Sequence, residues 1–281
     1  MAFNQTVVIL LACLMCVPVT AAVNPSVLAT LDLEREFFSD RYIKLKVGDE
    51  DVLVMLQENT NAIARGVAIL VTQSHTTLTS KHGLSPLVSE LNELGWVTML
   101  VPSPPTQFLT PRENIEPVTD SPSSLPSIKD SGKYLSQQTL DEHLQRLSVT
   151  MLAAIEKAKE YPGFILVIAQ GTSAASLIHL YAEQSLPSPD AMVVIEPYWP
   201  DRLTNQKLAI QLASTSMPVL DFYSDGDNVW SASTVQKRKV ATIRSLKLHY
   251  RQRKIIGLNA MDSAAPYISK EIYGWLSHMG W

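Results

Sequence analysis

The chain of 281 residues has only two cysteines, Cys13 and Cys16, and both lie in an apolar segment near its amino terminus. If that segment is removed, the remaining chain holds no thiol. Disulfides, thiol catalysis and thiolate metal sites are then excluded. Export without cysteine suits a bacterial periplasmic protein better than a small secreted protein that is held together by disulfides.

The sequence also lacks an excess of positive charge, since 23 Lys and Arg residues face 27 Asp and Glu residues and the net charge is −4. This balance argues against a general electrostatic attraction to nucleic acid or to an anionic membrane. The basic clusters at residues 237–239 and 251–254 are interpreted as solvated faces. No phosphate loop, dinucleotide fingerprint or carboxylate dyad is visible, so we expect no cofactor and no metal site.

The amino-terminal segment has an apolar run over residues 7–17, followed by Pro18 and several small residues. The run is too short to span a bilayer comfortably, and its small-residue end fits signal peptidase cleavage after Ala21 or Ala22. We therefore expect residues 1–22 to be a signal peptide and the mature protein to be periplasmic, with no stable membrane span. An uncleaved anchor and a lipoprotein modified at Cys13 are the alternatives, because no Lys or Arg precedes the apolar run.

Residues 23–281 indicate a single α/β domain, because strand patterns alternate with helical patterns along the chain. Continuous apolar runs at residues 66–71, 96–101 and 164–168 predict parallel strands that are buried on both faces. The alternating pattern over residues 42–56 predicts a hairpin whose first strand is half-buried.

Helices are predicted at residues 85–94, 233–245 and 267–279, and two further helices are predicted to start at Thr139 and Ser176. Thr139 and Glu142 have the spacing of a capping box. Residues 102–137 contain seven prolines and many serines and have almost no periodic apolar pattern. That stretch predicts either a flap over the site region or a disordered insertion.

The stretch from Phe164 to Ala175 reads FILVIAQGTSAA, in which a buried strand runs into small residues and then into a helix. A G-x-S-x-G nucleophile stands on such a strand, turn and helix. With the strand running straight into the turn, Ala169 takes the place of the first glycine and Gly171 takes the place of the serine. In a later register Ser173 becomes the candidate nucleophile, but polar Gln170 is then forced into the end of a buried strand.

The chain resembles the α/β-hydrolase superfamily over about residues 40–281, and more narrowly an uncharacterised bacterial family of exported α/β-hydrolase-like proteins with a domain of unknown function. The stretches that carry the resemblance are residues 75–83, 91–102, 169–174 and 218–227. It implies a mostly parallel central sheet with helices on both faces, and an acid and a histidine after late strands of an active enzyme. Asp227 stands at the acid position with Asp225 close by, but Ala260 occupies roughly the place of the histidine. His143 and His179 lie in helical patterns, where a packing role is expected.

We therefore expect a protein that binds a small molecule or an envelope partner without catalysis, since the serine and the histidine are both missing. Without a base, a serine hydroxyl stays protonated and is a weak nucleophile. One alternative is a serine esterase, that is, a carboxylic ester hydrolase, that uses Ser173 with Asp227 and a loop histidine such as His75. Another is a purely structural interaction role. The predicted binding residues are His75, His82, Gln170, Gly171, Thr172, Ser173, Asp225 and Asp227.

Overall fold

An eight-stranded sheet runs through the computed structural model of the chain, which describes residues 41–111, 133–255 and 261–281. The predicted signal peptide, the middle of the proline-rich stretch and Ala260 lie outside the described residues. Within the three described ranges, no helix has both the length and the apolar character needed to cross a bilayer.

Ten strands are described, eight of which form the main sheet. In chain order they are β1 (Tyr42–Val47), β2 (Glu50–Gln57), β3 (Gly66–Val71), β4 (Trp96–Val101), β5 (Leu109–Pro111), β6 (Lys133–Leu135), β7 (Phe164–Gln170), β8 (Ala191–Ile195), β9 (Val219–Ser224) and β10 (Tyr250–Ile255). The order in the main sheet is β1-β2-β4-β3-β7-β8-β9-β10. The pairs β1–β2 and β2–β4 are antiparallel, and the remaining pairs of that sheet are parallel. Strands β5 and β6 pair with each other in a separate antiparallel sheet.

The central strands are the ones that read as continuous apolar runs. Every residue of β3, β4 and β8 is buried, which is the pattern of parallel strands covered on both faces. The predicted hairpin is formed by β1 and β2 and lies at one edge of the sheet, where β1 is only partly buried.

Seven helices are described: α1 (Pro86–Glu93), α2 (Gln137–Ala158), α3 (Gly171–Ala182), α4 (Arg202–Ser214), α5 (Val229–Ala232), α6 (Val235–Arg244) and α7 (Met261–His278). Buried side chains of α2, α3 and α4 share one apolar core with sheet residues such as Val67, Ile69 and Val167. Helices α1 and α7 contact each other, and none of their buried side chains belongs to that core, so they cover the opposite face. The predicted class, a mostly parallel sheet with helices on both faces, is confirmed.

Several helix starts differ from the predictions. Helix α2 begins at Gln137, and Glu142 accepts a hydrogen bond from Gln138 Nε2 at 3.0 Å, so the predicted capping box of Thr139 and Glu142 is wrong. Helix α3 begins at Gly171, directly after β7, because the small residues there continue the helix instead of forming a longer turn. Helix α7 begins six residues before the predicted start at residue 267.

Part of the proline-rich stretch is ordered against the domain. Strands β5 and β6 both lie within residues 102–137, and residues 112–132 between them lie outside the described residues. Just before β5, the ring of Phe108 is buried and makes edge contacts with the rings of His143 at 4.7 Å and Trp199 at 5.8 Å. Residues leading into β5 therefore pack on α2 and on the loop that follows β8.

Candidate functional site

The turn between β7 and α3 is built on a glycine in the left-handed region. Gln170 ends the strand in an extended conformation, and Gly171 has φ of +60° and starts the helix. A side chain at this position projects at the end of a central strand, where a nucleophile of this architecture stands. Glycine adopts this conformation without strain because it has no Cβ.

The space that a side chain at Gly171 would need is occupied by Gln73. A Cβ built on Gly171 would lie 2.6 Å from Gln73 Oε1 and 2.7 Å from Gln73 Cδ, which is closer than real Cβ atoms approach other atoms. Gln73 follows β3, next to β7 in the sheet. The amide of Gln73 therefore occupies the space in which the side chain of any other residue at position 171 would begin.

Tyr198 holds this amide in place from the other side. Gln73 Nε2 donates to the Tyr198 hydroxyl at 3.0 Å. The Asn228 side chain, which follows β9, lies close to the same hydroxyl. The backbone N–H of Tyr198 donates to the Gly171 carbonyl at 3.4 Å. Burial raises the pKa of Tyr198, so the phenol stays protonated at neutral pH. The ends of β3, β7, β8 and β9 thus meet in one hydrogen-bonded cluster around the turn.

A pair of carboxyl groups lies at the same edge of the sheet. Glu196, which follows β8 with φ of +52°, hydrogen-bonds Asp227, which follows β9. Burial, then the neighbouring Asp227 charge and this hydrogen bond, raise the pKa of Glu196 to about 7. Asp227 Oδ1 accepts from Ser224 N at 2.9 Å and from Ser224 Oγ at 2.5 Å, and Oδ2 accepts from Ser231 Oγ at 3.3 Å. Glu196 therefore holds its proton up to about pH 7, next to Asp227.

His143 is buried and contacts a serine, but it does not accept a hydrogen bond from that serine as a general base would. Ser176 Oγ donates to the Thr172 carbonyl at 2.8 Å, so His143 Nε2, at 3.2 Å, must donate to Ser176 Oγ. His143 Nδ1 then accepts from Thr106 Oγ1 at 2.7 Å. Burial lowers the pKa of His143 to about 4 and keeps the ring neutral. The ring joins α2, α3 and the residues before β5, and a packing role, as predicted, explains all its contacts.

The predicted site residues do not form one cluster. Ser173 is fully buried and its Oγ donates to the Thr72 carbonyl at 2.8 Å, and Thr172 is buried beside it. His75 and His82 are exposed. His75 Nε2 donates to the Thr106 carbonyl at 2.8 Å.

Asp225 is exposed and pairs with Lys254 Nζ at 2.7 Å. The predicted binding residues that lie at the turn or in the hydrogen-bonded groups around it are Gln170, Gly171 and Asp227. Ser173 and Thr172 follow Gly171 in α3, but their side chains point into the protein interior.

Gln170 differs from its neighbours because its side chain is polar and buried at the end of a central strand. Its Oε1 atom accepts no hydrogen bond from any of the described residues. An unmatched buried acceptor is costly unless it finds a donor. Gln170 Oε1 is therefore a buried acceptor beside the turn without a donor among the described residues.

Sequence reasoning missed Gln73, Glu196, Tyr198 and Asn228. The sequence could have pointed to them, because each follows a buried strand that ends at the carboxyl edge of the sheet. Open α/β sheets bind ligands at that edge. Among the described residues, no group of three or more His, Cys, Asp or Glu side chains could hold a metal ion. The cluster offers amide, phenol and carboxyl groups for hydrogen bonding, and at Gly171 it offers no nucleophile.

The sheet order, the helix faces and the tight turn after β7 together define an α/β-hydrolase-like protein. The chain belongs to the family described as protein of unknown function (DUF3530), whose model matches residues 17–278. No curated protein matches the chain.

Solved structures of several esterases and hydrolases are similar to the chain. Est1E from Butyrivibrio proteoclasticus has 10% identity and a TM-score of 0.56, and the match covers 84% of this chain and 99% of that chain. Dienelactone hydrolase from Anabaena variabilis has 11% identity and a TM-score of 0.54, with 84% and 96% covered. The esterase domain of a Rhodothermus marinus protein has 10% identity and a TM-score of 0.51, with 83% and 96% covered. At these identities the likeness shows the fold alone.

Proposed function

We propose that this protein is an exported α/β-hydrolase-like protein that binds a small polar molecule, or a polar group of an envelope partner, at the turn after β7, and that it does not hydrolyse esters. The observation that carries the proposal is the position of Gln73. Its amide occupies the space in which a side chain at position 171 would begin and is fixed there by the Tyr198 hydroxyl. Position 171 thus has no hydroxyl, and the side chain of Gln73 fills the space beside it.

Ester hydrolysis on this fold needs a nucleophile and a base in contact with it. Gly171 supplies no nucleophile. Of the described histidines, His143 donates to Ser176 and His75 donates to a carbonyl, so neither is set to accept a proton from a hydroxyl at the turn. Loss of both groups removes several orders of magnitude from the rate.

The polar groups around the turn favour binding instead. Gln170 offers an unmatched acceptor, Glu196 offers a carboxyl proton, and Tyr198 is a neutral phenol. They lie at the carboxyl ends of parallel strands, which is the usual ligand edge of an open α/β sheet. A ligand that carries both a donor and an acceptor, such as an amide or a hydroxy acid, fits this set.

A serine esterase that uses Ser173, Asp227 and His75 remains the alternative hypothesis, but no contact in the described residues favours it. The Ser173 hydroxyl is buried and donates to Thr72, on the interior side of the turn. His75 is exposed and bonded to Thr106.

The test uses the chain expressed in full and purified in the form to which the host processes it. We expect no turnover of p-nitrophenyl acetate or butyrate above the background set by the Ser173→Ala variant. Turnover that this substitution abolishes would contradict the proposal. Mass determination of the purified protein also shows whether the amino terminus starts at residue 22 or 23, as export with cleavage predicts.

Native mass spectrometry after gentle purification tests the binding part. We expect a bound small molecule on the wild-type protein whose occupancy falls at least tenfold in Gln170→Leu and in Tyr198→Phe. Tyr42→Phe, at the far edge of the sheet, is the matched control and keeps the ligand. A ligand-free protein in every preparation would instead support a purely structural role.

A further inference from the structure

Helices α4 and α6, which contact each other, present an unusual number of apolar side chains to solvent. On α4, Leu203 and Ile210 are each 71% exposed and lie on one stripe of the helix. After α6, Leu246 and Leu248 are about as exposed, at 83% and 78%. Val240 and Ile243 on α6 are exposed as well. Most of the exposed large apolar side chains in the described residues lie between residues 203 and 248.

Every exposed charged side chain that the structure describes on α4 and α6 is a cation. None of these exposed cations has an ion-pair partner among the described residues. They are Arg202, Lys207, Lys237, Lys239 and Arg244. No Asp or Glu occurs at residues 202–220 or 228–261. We call these cations, with the six apolar residues Leu203, Ile210, Val240, Ile243, Leu246 and Leu248, the α4–α6 surface.

A buried ion pair fixes the orientation of α6. Arg238 Nε and Nη2 lie 2.8 and 3.1 Å from the two carboxylate oxygens of Asp221 in β9, and both side chains are fully buried. Lys237 and Lys239, on either side of Arg238 in the sequence, therefore point away from the sheet. The basic run at residues 237–239 is thus not one solvated cluster, as the sequence suggested, but an internal anchor between two outward cations.

We infer that the α4–α6 surface docks the protein onto an anionic phospholipid membrane. Exposed aliphatic side chains gain free energy by entering the boundary between headgroups and acyl chains, and lysine and arginine beside them pair with lipid phosphates. Each cation near such a surface contributes about a fivefold gain in binding. The net charge of −4 does not indicate this basic surface, because the acidic residues lie elsewhere in the chain.

The charge also argues against a second copy of the chain as the occupant. A symmetric dimer through this surface would bring like cations of the two subunits together, which is unfavourable. An acidic protein partner would also satisfy the cations, and the experiment below separates it from a lipid surface.

Flotation with lipid vesicles tests the inference. The protein, in the form that the host processes, is mixed with vesicles of phosphatidylglycerol and phosphatidylcholine, or of phosphatidylcholine alone, at low and high salt. We expect at least tenfold stronger binding to the anionic vesicles, and weaker binding at high salt because the charges are screened.

Two variants and one control separate the surface from a general charge effect. The triple variant K237E/K239E/R244E should bind anionic vesicles at least about a hundredfold more weakly. L246S/L248S, which leaves the charge unchanged, should also lose at least tenfold. The control K46E/K81E/K270E makes the same charge change at exposed lysines elsewhere and should lose much less. Circular dichroism confirms that each variant is folded.

Four results would overturn the inference. One is equal binding to the two kinds of vesicle, and another is an equal loss in the K46E/K81E/K270E control. The third is a concentration-dependent dimer in sedimentation that L246S/L248S dissolves, since the surface would then bind a second copy. The fourth is the absence of any vesicle binding, which rejects the lipid and leaves an acidic protein as the occupant.

Discussion

Replacing Glu196 with glutamine should change how the stability of the protein depends on pH. The pKa of Glu196 rises from 4.5 to about 7 on folding, chiefly through burial and then through Asp227. Between these values the folded protein holds a proton that the unfolded chain has released. Stability is therefore fully present below pH 4.5 and is lost as the pH rises through 7, at about 1.4 kcal/mol for each pH unit.

The total effect is about 3 kcal/mol between pH 4.5 and 7.5. Glutamine keeps an N–H donor towards Asp227 and stays neutral at every pH, so Glu196→Gln should gain about this much relative to wild type as the pH rises. Urea unfolding followed by circular dichroism from pH 4.5 to 8 measures the difference. The titration of other groups, His143 included, cancels between the two proteins.

Glu183→Gln is the control, because Glu183 is exposed at the end of α3 and has no described side-chain partner. It should run parallel to wild type over the whole pH range. If Glu196→Gln also runs parallel to wild type, then Glu196 does not hold its proton up to about pH 7 in the folded protein and the description of the site is wrong.

Three further predictions concern buried groups. The pKa of His143 falls from 6.5 to about 4 on folding, so wild type should lose about 3 kcal/mol of stability as the pH falls through this range. In urea unfolding, His143→Gln should remove this loss. Arg238→Met leaves the buried Asp221 charge without its ion-pair partner and should cost about 3–5 kcal/mol in the same measurement. Arg238→Met with Asp221→Leu should restore only part of this, because Tyr250 and Gln252 also donate to Asp221. Gly171→Ser places a Cβ against Gln73 in a left-handed conformation, so it should cost about 1–3 kcal/mol and give no esterase turnover. Adding Gln73→Ala to the same chain should relieve part of that cost. An unchanged free energy of unfolding in any of the three would contradict the contact on which it depends.

The fold could be predicted to a large extent because its signals are local. The apolar runs of β3, β4 and β7 mark buried parallel strands, and Gly171 at the end of the third run marks the turn. Helix α4 was missed because Leu203 and Ile210 face solvent, so its apolar residues do not form a single stripe towards the core. The exposed apolar side chains of α4 thus obscured the ordinary signal of a helix.

The site could be predicted only in part because its contacts are not local. Gln73 and Tyr198 are 125 residues apart, and their hydrogen bond depends on β3 and β8 both flanking β7. The raised pKa of Glu196 likewise depends on its burial at the end of β8 and then on the approach of Asp227 after the next strand. Periodicity places each residue at the end of a strand, but only the order of strands in the sheet decides which ends meet.

The most direct test of the central claim is labelling with a fluorophosphonate probe, which reacts with activated serines. The folded protein is incubated with the probe beside an active serine esterase as the positive control. We predict that only the esterase is labelled, because Gly171 has no hydroxyl and Ser173 is buried with its hydroxyl bonded to Thr72. A covalent adduct on Ser173 of the folded protein, absent after heat denaturation, would contradict the account.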